Sequence, residues 1–177
     1  MTSQMQIAEV DALEILDSRG NPTLTVSLRL AEGQTTRAAV PSGAFMGGRE
    51  ARELRDGDPQ RFDGRGVLRA VAAVRGPIKD AICGRPWSSL RELDSALRDL
   101  DGSHDLSRLG SNAILGASSA ACRAFARSAS LELHDWMAAE GMAGRPQRLP
   151  VPHFNVVNGG AVLTSETPCD PARRSRV

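Results

Sequence analysis

The sequence predicts an α+β fold in which a three-stranded antiparallel meander is followed by a helical part. Residues 23–30 alternate between apolar and polar side chains, which is the period of a half-buried strand. Shorter apolar segments over 7–16 and 35–40 flank this strand. Turn-forming residues fill 17–22 and 32–34, so we expect short turns to join the three strands. After residue 66 the apolar residues recur at helical spacing.

The first predicted helix, over 66–82, contains a break. Gly76 and Pro77 interrupt its apolar pattern. Because proline lacks an N–H donor and its ring clashes with the preceding turn, we expect the helix to end or kink near Arg75.

Three further helices are predicted over 88–100, 111–128 and 131–139. The first has leucines at positions i, i+3, i+7 and i+10, and its Ser89 and Glu92 fit a capping box. The second is rich in alanine and other small residues, which indicates a buried helix that neighbouring elements approach closely.

Composition excludes several classes of protein. The 177 residues carry a formal net charge of +1, aromatic residues make up 3% and tyrosine is absent, so we expect no nucleic-acid partner. No apolar run of spanning length occurs, so we expect no membrane partner. The three cysteines are widely spaced, which suggests neither a zinc site nor disulfides and favours a cytoplasmic location.

Few residues are suited to proton transfer. Lys79 is the single lysine among 22 basic residues, and arginine cannot act as a general base in a protein. The three histidines lie far apart without metal-ligand spacing. Asp56 and Asp58 flank a glycine as in a calcium loop, but no bidentate glutamate follows at the required offset, so a solvated turn is the better interpretation. We therefore predict no catalytic residue on this chain.

Residues 38–58 contain the most distinctive pattern. An apolar run stops at Pro41, a loop of small residues and glycines follows, and a charged segment begins at Arg49. An ordinary glycine-rich surface turn explains such a pattern, and so does a functional loop on a rigid scaffold.

Other segments favour the functional loop. Four stretches, Asp17–Thr23, Ala38–Asp58, Gly110–Gly116 and Leu149–Gly160, together resemble the amino-terminal part of enolase, the glycolytic phosphopyruvate hydratase, in the same order. The resemblance implies a small domain that precedes a large β/α barrel carrying the metal carboxylates and the catalytic lysine and glutamate. Such a barrel needs roughly 250 residues, and only 17 follow Gly160, so we expect the barrel to be missing.

The resemblance also implies three segments. Residues 1–144 correspond to the enolase amino-terminal domain, and 145–160 to a linker and a remnant of the first barrel strand, Val151–Val157. Residues 161–177 lack apolar periodicity and are expected to form a disordered tail.

By the same resemblance, Ser42, Gly43, Ala44 and Gly47 form a substrate loop, and Ser42 helps to hold a second Mg²⁺ when the loop closes. Phe45 and Met46 stand where the family has serine and threonine. Ala161 and Val162 replace a serine and the histidine that reaches the substrate.

Two functions remain open. The first is an enolase-like phosphopyruvate hydratase, converting 2-phosphoglycerate to phosphoenolpyruvate, of which this chain is a catalytically incompetent fragment or pseudo-enzyme. Mg²⁺ is then implied by the family but is not bound by this chain alone. The second is a protein-interaction module that forms a homodimer or pairs with a full-length enolase or another protein. Thr25 stands at an acidic family position near the dimer contact, which puts that contact in doubt.

Overall fold

Four strands form one antiparallel sheet in a computed structural model that describes residues 4–42, 51–141, 149 and 151–154. The order across the sheet is β3-β2-β1-β4. The strands are β1 (Met5–Leu16), β2 (Pro22–Leu30), β3 (Thr35–Ala39) and β4 (Pro86–Trp87). The predicted α+β fold and its three-stranded meander are confirmed, and the two-residue β4 adds a fourth strand beside β1.

Buried and exposed side chains alternate along only part of β2. Leu24, Val26, Leu28 and Leu30 are buried on one face, as the pattern predicts. On the other face Arg29 is exposed, but Thr23 and Thr25 are buried as well. Their hydroxyls donate to backbone oxygens of Val40 (2.6 Å) and Ala38 (3.2 Å), so neither polar group lacks a partner.

A π-helical turn carries the first helix past its proline. The helix runs through α1 (Leu68–Ala73), the π turn (Val74–Ile78) and α2 (Lys79–Ile82). The irregularity was expected near Arg75 and lies there, but the chain continues as a helix beyond it. A wider turn accommodates the proline ring and the missing N–H, and such turns are a known cause of helix distortion. A short 3-10 turn, Phe62–Gly64, precedes the helix.

Helix α3 (Leu90–Asp101) begins with the predicted serine cap. The Ser89 hydroxyl accepts a hydrogen bond from the backbone N–H of Glu92 at 3.2 Å. The Glu92 carboxylate, however, accepts from the N–H of Ser88 at 3.0 Å and not from that of Ser89. The return bond of the capping box is thus displaced by one residue. Gly102, in the left-handed conformation, ends the helix.

Helix α4 (Ser111–Ser128) lies against β2 and β3 and is buried along most of its length, as its small residues predict. An ideal Cβ placed on Gly116 would lie 2.6 Å from Val26 Cγ2 and 3.1 Å from Val40 Cγ2, so glycine is required for this approach. Helix α5 (Leu133–Gly141) follows, and its Trp136 stacks on Phe125 with ring centroids 5.9 Å apart.

The chain divides into two units, Met1–Arg145 and Pro146–Val177. All the helices and strands above belong to the first. In the second, residues 149 and 151–154 are described; they are exposed and carry no secondary structure. The described residues do not include the rest of the predicted strand Val151–Val157, residues 145–148 of the predicted linker, or the expected disordered tail 161–177. None of the described helices is long and apolar enough to cross a membrane.

Gly116→Ala tests the helix–sheet contact. We expect the added methyl group to collide with Val26 and Val40 and to lower the free energy of unfolding by about 1–3 kcal/mol, despite the better helix propensity of alanine. The control is Gly141→Ala, since Gly141 is the last residue of α5 and an ideal Cβ placed on it has no atom within 4 Å. Chemical denaturation should show the control to be as stable as the wild type or more so. Equal effects at the two sites would contradict the close approach.

Asp101 joins the end of α3 to the start of α4. Its carboxylate accepts hydrogen bonds from the N–H of Leu109 (2.7 Å) and from the N–H (3.0 Å) and hydroxyl of Ser103. Burial of this carboxyl acts to raise its pKa, but the hydrogen bonds from Ser103 and Leu109 outweigh burial and lower the pKa below its ordinary value. The ionised form is therefore the one that the fold stabilises.

Asp101→Asn should lower the free energy of unfolding at pH 7 by roughly 1–3 kcal/mol, because the amide cannot accept all three hydrogen bonds. Since the folded-state pKa is depressed, the wild-type contribution is fully present above the unfolded pKa of about 3.9 and is lost as pH falls through the folded value. Urea titrations between pH 7 and pH 3 should show the stability difference shrinking on acidification. Asp99→Asn, at an exposed position of α3, is the control. If the stability difference between the wild type and Asp101→Asn did not depend on pH, the role of the Asp101 charge would be contradicted.

Candidate functional site

Ser42 lies where the chain leaves the sheet after β3. The N–H of Val40 donates to the oxygen of Leu24 at 2.9 Å, so the backbone is held to β2 up to that residue. The Ser42 side chain is half-buried two residues further on. Gly43, Ala44 and Gly47, the other residues of the predicted substrate loop, lie outside the described residues.

The guanidinium of Arg55 holds Ser42 in place. Its Nη2 donates to Ser42 Oγ at 3.0 Å and also contacts the carboxylate of Glu53. Its Nη1 donates to the backbone oxygens of Pro22 (2.7 Å) and Arg65 (2.8 Å). We call these five residues the Ser42–Arg55 cluster. The planar fork of a guanidinium can serve several acceptors at once, which a lysine cannot do with the same geometry.

The turn that contributes Pro22 is itself held by hydrogen bonds. The Asp17 carboxylate accepts from the N–H of Arg19 and of Asn21, both at 2.8 Å. The hydrogen bond from Asn21 is the main reason that the pKa of Asp17 lies below its ordinary value. Arg65 donates to Asn21 Oδ1 at 2.8 Å, which joins the turn to the segment after residue 51. The turn is thus ordered independently of Arg55.

Asp56 lies next to the cluster and caps a helix. Its two carboxylate oxygens accept from the N–H groups of Leu68 (3.0 Å) and Arg69 (2.8 Å) at the start of α1. These donors have no partner within the helix, and a carboxylate at a helix N-terminus is electrostatically favoured. Asp58 accepts from the N–H of Gln60 at 2.9 Å in a turn. Asp58 is exposed in a turn, as the solvated-turn interpretation predicts. That interpretation is wrong for Asp56, whose side chain is only 10% exposed and caps α1.

Asn112, in the first turn of α4, holds the segment before Arg55. Its Oδ1 accepts from the N–H of Leu54 at 3.0 Å, and its Nδ2 donates to the oxygen of Leu54 at 3.2 Å. The Asn112 side-chain amide thus forms with the backbone of Leu54 the two hydrogen bonds that a neighbouring strand would form. Gly110 lies directly against the same residue, since an ideal Cβ placed on Gly110 would be 2.5 Å from Leu54 Cβ. The stretch 110–116 is therefore joined to the segment that carries the cluster.

The structure thus brings together three of the stretches singled out in the sequence: the turn 17–23, the loop segment 38–58 and the start of α4. Lys79 begins α2, where it is half-buried. Within residues 4–42 and 51–141, together with 149 and 151–154, no three His, Cys, Asp or Glu side chains are grouped so as to hold a metal ion.

The sequence over residues 7–137 matches the family model described as the enolase N-terminal domain. The chain belongs to the enolase family. Enolase 1 of Chlorobaculum tepidum is similar, with 49% identity over 156 residues, which cover 88% of this chain and 36% of that protein. The chain thus spans little more than a third of the length of this curated relative. The resemblance predicted from the sequence motifs is confirmed.

Mg²⁺ does not fit the described part of this enolase domain on its own. The ion takes about six oxygen ligands in octahedral geometry. The Glu53 carboxylate and the oxygens of Pro22 and Arg65 are bonded to the Arg55 guanidinium, and this positive charge also lies 3.0 Å from the Ser42 hydroxyl. The arrangement can position a hydroxyl and fix the base of a loop.

Arg55→Gln tests the cluster. The change removes a charged donor from four acceptors, and we expect a loss of about 1.5–3 kcal/mol in the free energy of unfolding. Arg19→Gln is the matched control, because Arg19 is exposed and its side chain makes no hydrogen bond with any described residue; we expect a change within about 0.5 kcal/mol. Denaturant unfolding of both variants measures the difference. Similar values for the two would show that the cluster contributes little to stability.

Proposed function

We propose that this chain supplies the amino-terminal domain of a phosphopyruvate hydratase and that Ser42 and the loop after it complete a site held by a β/α barrel. The observation that carries the proposal is the hydrogen bond from Arg55 to Ser42. Through Arg55, which also bonds the oxygen of Pro22 in β2, it fixes the first residue of the loop to the sheet, while Ser42 stays half-buried. Loops mounted on such scaffolds commonly close over substrates and exclude water.

Proton abstraction, acid assistance and most metal ligation would then come from the barrel. The small domain would orient the Ser42 hydroxyl, the one group here that the family resemblance assigns to the second Mg²⁺. For that ligation Arg55 would have to release the hydroxyl, since a guanidinium and a divalent cation repel each other. Arg55 is thus a positioning residue for Ser42. A cytoplasmic location, inferred from the cysteine pattern, is part of this proposal.

A protein-interaction role is the second candidate. Leu13 and Leu16, near the end of β1, are 50% and 57% exposed. They lie beside the turn 17–23, which the family resemblance places near the dimer contact. Exposed leucines at this place favour pairing with a second copy or with a full-length enolase.

A chimera tests the catalytic proposal. Residues 1–160 of this chain replace the aligned segment of Chlorobaculum tepidum Enolase 1, and Mg²⁺-dependent formation of phosphoenolpyruvate from 2-phosphoglycerate is measured. We expect an active chimera, and a loss of roughly 10- to 100-fold in kcat/KM on Ser42→Ala, as is typical when the shell of a metal site is altered. Ser95→Ala, at an exposed position of α3, is the control and should retain activity.

Phe45→Ser combined with Met46→Thr should raise kcat/KM of the chimera, because it restores the two hydroxyls of the family loop. The 177-residue chain alone should form no product above a control without enzyme. A folded but inactive chimera, or full activity after Ser42→Ala, would contradict the catalytic role. Concentration-dependent dimerisation in size-exclusion chromatography, lost on Leu13→Ser and Leu16→Ser, would then support the interaction role instead.

A further inference from the structure

A cavity of about 460 Å³ lies between α3, α4 and α5. The least exposed of its lining residues are Leu90 and Asp94 from α3, Cys122 from α4 and Trp136 from α5. We call the cavity the three-helix cavity and these four residues its base. A volume of this size is typical of pockets that hold small organic molecules.

The Asp94 carboxylate in this base has no partner in the part of the chain that the structure describes. Its Oδ1 atom is buried and accepts no hydrogen bond from a described residue, and its side chain takes part in no ion pair with one. Buried polar atoms nearly always have a hydrogen-bond partner, because their removal from water is otherwise unfavourable. The described contacts within the fold therefore do not explain a carboxylate at this position.

Asp94 is also the one charged residue of the base. The other charged residues that line the cavity, Arg91, Arg98 and Glu140, are all exposed. Water and salt screen exposed charges strongly, whereas they screen a half-buried carboxylate less. The floor of the cavity is therefore negative although its lining as a whole contains two charges of each sign.

The Cys122 thiol shows that the charge of Asp94 acts on the rest of the base. Burial raises the pKa of this thiol, and the nearby Asp94 carboxylate raises it further. A negative potential that disfavours a thiolate favours a cation in the same place.

The remaining surface of the cavity includes a large apolar part. Trp136 stacks on Phe125 with ring centroids 5.9 Å apart, so the position of its ring is fixed. Leu90 lies in the base beside it, and Met137, which is 54% exposed, extends the apolar surface to the rim. Indole rings bind apolar groups and also attract cations. The cavity thus combines an apolar wall with a single carboxylate that lacks a donor.

We propose that the three-helix cavity binds a small organic cation, a primary ammonium group carried on an apolar body. The ammonium supplies both the hydrogen-bond donors and the positive charge that Asp94 lacks, and charge-assisted hydrogen bonds of this kind are among the strongest. The apolar body lies against Trp136 and Leu90. None of the residues of the Ser42–Arg55 cluster lines the cavity, so the site is separate from the one proposed for catalysis.

Calorimetric titration of the full chain with 2-phenylethylamine at pH 7, where this amine is protonated, tests the proposal. We expect saturable binding of one amine per chain. The neutral analogue 2-phenylethanol has the same apolar body and should bind roughly tenfold more weakly or not at all. Asp94→Asn should weaken binding of the amine by a similar factor. The matched control, Asp99→Asn, removes the same charge from an exposed position of α3 and should change the affinity by less than about twofold.

Tryptophan fluorescence checks where the amine binds. The chain has two tryptophans, Trp87 and Trp136. Binding should change the emission of the wild type, and the change should disappear in Trp136→Phe, which keeps an aromatic ring next to Phe125. An emission change that persists in this variant would place the ligand elsewhere and overturn the proposal.

Thermal unfolding of each variant separates lost binding from lost fold. Asp94→Asn should unfold at the wild-type temperature or above it, since it removes a half-buried charge without a partner. Comparison of the amine with the alcohol needs no variant and tests the proposal on the wild type alone. Binding that does not saturate, equal binding of amine and alcohol, or equal weakening by Asp94→Asn and Asp99→Asn would each refute the ammonium site.

Discussion

The close contact between α4 and the sheet determines where most other elements lie. At Gly116 the helix backbone approaches β2 so closely that even a methyl group would collide with Val26. Alanines along the same helix, among them Ala113, Ala117 and Ala120, are fully buried against the strands. Interiors of this density tolerate little change in volume, so the position and rotation of the helix are fixed. The positions of the segments joined to the two ends of α4 are therefore fixed as well.

At its start, α4 positions the candidate site through side chains. The segment 51–58 belongs to no strand or helix, so its backbone polar groups need other partners. Asn112 supplies two of them at Leu54, and the next residue, Arg55, reaches Ser42 and Pro22. A loop that begins from this segment has a fixed base although the sheet ends before it. Side-chain hydrogen bonds, together with backbone bonds between loops such as that from the N–H of Asp56 to the oxygen of Gly66, extend the rigid scaffold to the edge of the proposed site.

The sequence predicts those features that depend on neighbours along the chain. The boundaries of α4, the Ser89 cap and the irregularity near Pro77 follow from local composition and spacing. Strand β4 has two residues, one of them a proline, and no periodicity can reveal an element that short. Thr23 and Thr25 occupy strand positions whose alternation predicts an exposed face. They can be buried because their hydroxyls donate to the oxygens of Val40 and Ala38. The Arg55 contacts escape prediction for a related reason: Ser42 and Pro22 lie 13 and 33 residues away, so no local pattern marks the arginine as their partner.

The near-absence of lysine determines the chemistry of the Ser42–Arg55 cluster. A guanidinium remains charged at any physiological pH, so it can position or recognise an oxygen but cannot take up a proton as a base. In the Ser42–Arg55 cluster the charge is balanced by Glu53 and by backbone oxygens, and its effect is internal order. The fold supplies these partners because the segment 51–58 runs close to the oxygens of Pro22 and Arg65 and carries the Glu53 carboxylate itself.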